Sequence, residues 1–438
     1  MSQPPSLKVA VVGLGFVGLP LSLAYWQSGA EVFGAEIDPA LRQELSQGIT
    51  HHLEADAGKP ISEILREALA SGRYHLLADA AEATRSTDAT IVTVGIPHRD
   101  DALDLSALQG ALRAVAEAAG KGHLILLRST VPPGTTRRDL LGALASIGKR
   151  PGVDVYVAYC PERIAEGRAF EEFRGMPVIL GAFDEQSLMR AREVVGFVTK
   201  GGIATTDSVE AAELSKVIEN VQRDVNIAIA QELARACEAS GVDVFEVIRL
   251  ANTHERVHLL EPGPGVGGFC LPLALSYFLP FAEEHRIETP TLLAARRTNA
   301  AVPKVLAERA LAHAQALEPG AVPRIAVFGL AMKDYSNDAR LSPAIEVCEA
   351  LRAAGAEVRA VDPAVPQAFP FKGQDPDWAV QGAHVLMLLS RQRALEAWLA
   401  EPQRLQALHP GALIADVRNW FPAGGGPLAE YGLAYWRI

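Results

Sequence analysis

Short apolar runs alternate with longer alanine-rich segments along most of this 438-residue chain. Near the start, KVAVVG reads as a strand, LPLSLAYWQSG as a helix and AEVFGAEID as a second strand, so residues 8–38 predict a βαβ unit. The runs ATIVTVGIP, HLILLRSTV and VDVYVAYCPE repeat the strand signal, with helical segments between them. Their near-continuous apolar character is that of a parallel sheet covered on both faces. From Asp207 to about Ser240 the period becomes helical, without internal glycine or proline, which predicts one long helix. A fresh strand signal at PRIAVFGLAMKD then opens another domain.

This late segment repeats the early one. LKVAVVGLG near Val11 recurs as PRIAVFGLA near Val327, and GAEVFGAEIDP recurs as GAEVRAVDP ending at Pro363. The reading is an α/β chain of two Rossmann-like, doubly wound domains joined by a long central helix and a helical middle domain. The expected division is 1–204 for the first Rossmann domain, 205–305 for the helical middle and 306–438 for the second Rossmann-like domain. The second copy keeps Gly329 but continues AMKD, so it should bind something other than a dinucleotide.

Composition narrows the field. Hydrophobic residues make up 49% and charged residues 21%, which fits a globular enzyme rather than a disordered chain. A formal net charge of -11 disfavours nucleic acid as a partner. The four cysteines, Cys160, Cys237, Cys270 and Cys348, form no CxxC pair, which fits a reducing, cytoplasmic setting. The start, MSQPPSLKVAVVGLG, reads as a first strand and not as a signal peptide or membrane span. No metal is expected.

The chemistry begins at Gly13, Gly15 and Gly18, a GxGxxG turn between strand and helix that also contains Phe16 and Val17. Such a turn brings backbone amides close to a pyrophosphate. Glu36 ends the next strand, where a carboxylate would bind both ribose hydroxyls and repel a 2′-phosphate, favouring NAD over NADP. Cys270 lies in GPGVGGFCLP, whose glycines would let a ligand approach the backbone; beside NAD, a thiolate there could add to an aldehyde. Lys216, Asn220 and Asp224 follow one another at i, i+4 on the long helix, either as a solvated face or as oxyanion donors. In YCPERIAEG, Pro161 could start a helix placing Glu162 and Glu166 one turn apart, as dipole-complementing carboxylates or as a base.

Together GLGFVGLP, STVPPGTT (Ser129–Thr136), CPERIAEG, ELSKVIENVQRDVNIAIAQELA, GPGVGGFCLP, FGLAMKDYSNDARLSP and ADVRN make the whole chain resemble the UDP-glucose/GDP-mannose dehydrogenase family. These enzymes oxidise a nucleotide sugar twice at C6 to the uronic acid. The resemblance implies that Cys270 is the thiol nucleophile and that Lys216 and Asn220 stabilise the oxyanion. It implies that Glu162, Glu166 and Thr130 handle protons and water, with Thr130 also near the cofactor. It places Glu162, Arg163, Lys216, Asn220, Arg256, Gly267, Lys333 and Arg340 at the substrate, and implies a homodimer built through the long helix. CPERI, VPPGTT and PGPGVGG look most like the branch acting on UDP-N-acetylhexosamines, especially UDP-N-acetylmannosamine.

Three positions depart from the family pattern. Ala274 stands where an aspartate usually follows the cysteine by four, Arg128 where many relatives have glutamate, and Ile96 where threonine is common. Phe269 and Leu273 make the cysteine segment more apolar than the pattern. The expected activity is NAD-dependent, four-electron oxidation of a UDP-sugar, with another nucleotide sugar or partial oxidation as alternatives. A nucleotide-sugar-binding paralogue with little turnover is the alternative of another class.

Overall fold

Both expected sheets form. The computed structural model describes residues 7–99, 102–165 and 167–438. The chain divides into two compact units: residues up to 219 with 276–287, and residues 220–275 with 288–438.

The first unit holds eight strands in the order Ile203–Thr206, Val178–Ala182, Val155–Tyr159, His123–Leu127, Ala89–Val92, Lys8–Val12, Glu31–Ala35, Tyr74–Leu77. Neighbours are parallel except Val155–Tyr159 against Val178–Ala182. Val9 and Val11 pack with Leu19, Leu21 and Leu23 of the helix Gly18–Gln27. Ala10 and Val12 point the other way, toward Leu108, Leu112 and Val115 of the helix Ser106–Ala118. Burial on both faces is why these strands read as unbroken apolar runs. Strand order reverses between Lys8–Val12 and Ala89–Val92, and a sheet of this kind binds ligands beyond the carboxyl ends at that reversal.

The second unit carries six parallel strands in the order Lys372–Gly373, Glu357–Val361, Arg324–Phe328, Val385–Leu388, Leu413–Asp416, Ala434–Arg437. Its first ladder copies that of the other sheet: Lys8 pairs with Glu31 as Arg324 pairs with Glu357. The copy extends into the turn, where the Gly13 amide donates to the Ala35 carbonyl at 2.8 Å and the Gly329 amide to the Val361 carbonyl at 2.9 Å.

The long helix runs Val209–Ser240, 32 residues. A later helix, Pro290–Leu317, carries the chain across residue 305, and its Leu306, Ala307, Ala310 and Ala314 lie in the core of the second sheet. The division expected at 305 therefore falls inside one helix, because the same helix covers the sheet that follows. Among the described residues no helix is long and apolar enough to cross a membrane.

Candidate active site

The three glycines of the first turn serve different needs. Gly13 has φ +90°, and a Cβ there would stand 3.0 Å from the Thr93 carbonyl oxygen. A Cβ on Gly18 would lie 1.8 Å from the Gly13 carbonyl oxygen, so this glycine lets the helix sit against the strand. A Cβ on Gly15 would meet nothing within 4 Å, leaving room beside the backbone for a ligand. Val17 caps the helix Gly18–Gln27 without any side-chain hydrogen bond, and the Leu19 amide of its first turn donates to the Gly15 carbonyl at 3.2 Å. Phe16 is exposed, its ring edge-on to His51 with centroids 4.9 Å apart. The Glu36 carboxylate is buried and accepts the Leu14 amide on Oε2 and the Asp38 amide on Oε1, both at 2.9 Å. It thus fastens the turn and sets a negative charge at the end of the second strand.

Thr130 is half-buried on the loop that follows His123–Leu127. A residue that sequence reasoning missed holds this loop. Glu213, fully buried on the long helix, accepts the Gly134 amide (2.6 Å), the Thr136 amide (2.8 Å) and the Thr136 hydroxyl (2.6 Å). Burial pushes its carboxyl above the usual range, against those hydrogen bonds. The available signal was a carboxylate on the apolar stripe with Val209 and Ala212, both fully buried.

Pro161 does not start a helix; the next helix is Ala169–Gly175. Glu162 instead turns back to accept the amides of Arg163 (2.7 Å) and Ile164 (2.9 Å) on Oε1, local bonds that compete with a helical turn. Its Oε2 receives Arg128 Nε at 2.7 Å, and both side chains are buried. Burial alone would lower the Arg128 pKa, but the neighbouring Glu162 and Cys160 hold it above its ordinary value. The residue that departs from the family pattern is therefore the partner of a proposed catalytic carboxylate. Arg163 is likewise engaged, with Nη2 2.8 Å from Glu219 Oε1 and Nη1 donating to the Pro177 carbonyl at 2.9 Å. Glu166 lies outside the described residues.

Lys216 and Asn220 stand one turn apart on the long helix, Lys216 half-buried and Asn220 buried at 8% exposure. Neither side chain has a hydrogen-bond partner among the described residues. Asp224 on the next turn differs: it accepts from Arg296 and from Asn299 Nδ2, each at 2.8 Å. Burial pushes the Asp224 carboxyl up and the Arg296 guanidinium down. The stripe is thus no solvated face, and Asp224 ties two helices together.

In the second unit, Cys270 is exposed while Cys160, Cys237 and Cys348 are buried. The glycines before it pack against protein, not open space. A Cβ on Gly267 would stand 2.8 Å from the Leu341 carbonyl oxygen, one on Gly268 2.4 Å from Met332 Sδ, and one on Gly265 3.1 Å from Pro343 Cβ. On the side where a Cβ would point, these glycines admit the 332–343 segment. Arg340 belongs to that segment and grips Asp338 through Nε (2.9 and 3.0 Å) and Nη2 (2.5 Å). Burial opposes the Asp338 charge, yet the bonds from Arg340 bring its carboxyl below the usual range. Cys270, Gly267 and Arg340 are therefore brought together, while Lys333 and Arg256 are exposed. Ala274 is buried at the start of the helix Ala274–Glu284, and in the first unit the Ile96 carbonyl accepts from the Tyr277 hydroxyl at 3.4 Å.

One group among the described residues has the composition of a metal site: Glu318, His384 and His409, with ligand atoms within 4.8 Å of one another. The Arg324 amide donates to His384 Nδ1 at 2.9 Å, so the ring proton sits on Nε2 and points at Glu318 Oε2, 2.7 Å away. Arg324 Nη2 stands 3.4 Å from the same oxygen. Glu318 Oε2 is thus shared between a ring nitrogen and a guanidinium.

A doubly wound sheet whose first turn leaves room for a pyrophosphate and ends against a carboxylate defines a dinucleotide-binding protein. The chain belongs to the UDP-glucose/GDP-mannose dehydrogenase family: residues 7–196 match its NAD binding domain, 210–301 its central domain and 326–423 its UDP binding domain. It is an NAD-dependent UDP-sugar dehydrogenase. It is 38% identical to UDP-N-acetyl-D-mannosamine dehydrogenase of Pyrococcus horikoshii over 82% of this chain and 84% of that protein. It is 33% identical to NDP-N-acetyl-D-galactosaminuronic acid dehydrogenase of Ralstonia nicotianae, over 78% and 79%. A solved structure of UDP-D-ManNAc dehydrogenase from Pyrococcus horikoshii superposes with TM-score 0.87 at 33% identity, covering 99% of each chain.

Proposed function

We propose that the chain oxidises the C6 hydroxyl of a UDP-N-acetylhexosamine, UDP-N-acetylmannosamine foremost, to the uronate with two NAD consumed. The first hydride leaves the alcohol as a proton is removed, giving the aldehyde. The Cys270 thiolate adds to it, and Lys216 and Asn220 hold the resulting oxyanion. The second hydride leaves this thiohemiacetal to give a thioester, and water releases the acid and the thiol. Thr130 and the Glu162–Glu166 segment attend the water, and Arg256, Lys333 and Arg340 neutralise the pyrophosphate. Arg163 and Gly267 complete the substrate contacts, Arg163 by ordering its loop. The exposed apolar Ile218 and Ile229 on the long helix suit a homodimer, and the buried free thiols suit the cytoplasm.

The observation that carries the reading is that one cysteine of four is exposed, at the end of a loop seated on a rigid segment. The test is NADH formation with UDP-N-acetylmannosamine, UDP-N-acetylglucosamine, UDP-glucose and UDP-galactose, with product mass. Two NADH per uronate, abolished by Cys270→Ser, is the expected outcome; retention of uronate formation in that variant sinks the mechanism. A second reading has its own support: Glu162 is committed to Arg128, and Ala274 offers no carboxylate. On that reading oxidation stops early, and one NADH per released aldehyde, or a persistent Cys270 thioester, reveals it.

A further inference from the structure

The residue before the thiol is itself part of a contact. Phe269 is 50% exposed, and the Arg340 guanidinium lies over its ring, 5.1 Å from the centroid. Arg340 is not loose: it is forked onto the buried Asp338, and its carbonyl accepts the Gly268 amide at 3.1 Å. Gly267 and Gly268 allow no side chain at their contacts with Leu341 and Met332. The backbone leading to Cys270 is thus seated by its glycines, and the last side chain before the thiol is pinned by a cation.

We infer that Phe269 is a positioning residue for Cys270. Its ring, gripped from one face by Arg340, fixes the direction in which the thiol leaves the loop and partly shields it. A leucine at this position keeps the bulk and loses the aromatic face that attracts the guanidinium; a tyrosine keeps both. The role in turnover rests on the proposed part of Cys270 as nucleophile, whereas the contact itself is testable without any substrate.

The experiment is iodoacetamide labelling of the full-length protein, reading alkylation of the Cys270 peptide by mass. Cys160 and Cys348 are fully buried and Cys237 nearly so, which keeps their signals separate. Phe269→Leu and Arg340→Gln are expected to label roughly fivefold faster than the wild type, the change that loss of one cation–π contact produces. Phe269→Tyr is expected to label within about twofold of the wild type. Equal or slower labelling of Phe269→Leu overturns the inference, as does faster labelling of Phe269→Tyr. In turnover Phe269→Leu should lower kcat and leave KM for NAD unchanged; a rise in KM for NAD with kcat intact also overturns it. Absence of NADH formation by the wild type would sink the proposed reaction and leave the labelling comparison standing.

Discussion

The two sheets begin alike and end their second strands with the same kind of residue, yet the two carboxylates are used differently. Glu36 accepts one amide on each oxygen, Leu14 and Asp38, and keeps lone pairs for hydroxyl groups of a ligand. Asp362, fully buried, accepts the amides of Leu330 and Ala331 and Gln392 Nε2 on one oxygen and the amides of Ala364 and Val365 on the other. The longer side chain leaves its carboxylate at the edge of a binding turn, and the shorter one is consumed in closing its own. Gly329 is packed more tightly than its counterpart Gly13, since a Cβ there would lie 1.9 Å from the Ser390 carbonyl oxygen, against 3.0 Å from the Thr93 carbonyl oxygen at Gly13. A repeated scaffold thus yields one turn that admits a dinucleotide and one sealed by its neighbouring loop.

The sharpest contrast to test is between the two arginine–carboxylate pairs. Arg128→Leu leaves Glu162 buried without its cation and should cost about 3–5 kcal/mol by chemical denaturation, while Arg340→Gln, at a half-buried pair, should cost about 1 kcal/mol. Equal costs would break the distinction between a buried and an accessible pair. Next come the glycines. Gly18→Ala and Gly329→Ala each force a Cβ into a backbone oxygen and should cost about 3 kcal/mol, but calorimetric titration should show the first losing NAD and keeping UDP, and the second the reverse. Loss of both ligands in either variant would deny the sheets separate tasks.

The carboxylates follow. Asp362→Asn turns a donor toward amide donors and should cost about 2 kcal/mol, whereas Glu36→Gln should cost about 1 kcal/mol or less and raise KM for NAD about tenfold. The smallest effect is confined to the first sheet. Burial lowers the His123 pKa from 6.5 to about 4, with the ring held by Thr90 and the Thr87 carbonyl. The unfolded chain binds that proton more readily, so stability falls as pH drops from about 6.5 to about 4. His123→Gln should lose about 1 kcal/mol less than the wild type across that window in pH-dependent melts.

The glycine turn, Glu36 and the repeat were legible because each is local: a strand, a tight turn and a helix within thirty residues. The partners of the other carboxylates were not. Glu162 finds Arg128 across two neighbouring strand ends, and Glu213 finds the Gly134–Thr136 turn from a helix far along the chain. Such pairings follow from which strands lie side by side, and periodicity carries no trace of that. The packing of the cysteine loop was not legible either, since glycines that make room for a ligand and glycines that make room for Met332 look the same in sequence.

Glu213 has one more consequence. Its carboxyl is raised by burial, so the folded unit holds this proton more tightly than the unfolded chain does. Its contribution to stability is therefore complete below about pH 4.5 and fades as pH rises through its folded value. His123 runs the other way over an overlapping range. The cofactor-binding unit thus carries a counterweight: as mild acid begins to loosen one side of its sheet, the same proton activity relieves the cost of keeping a buried charge on the long helix.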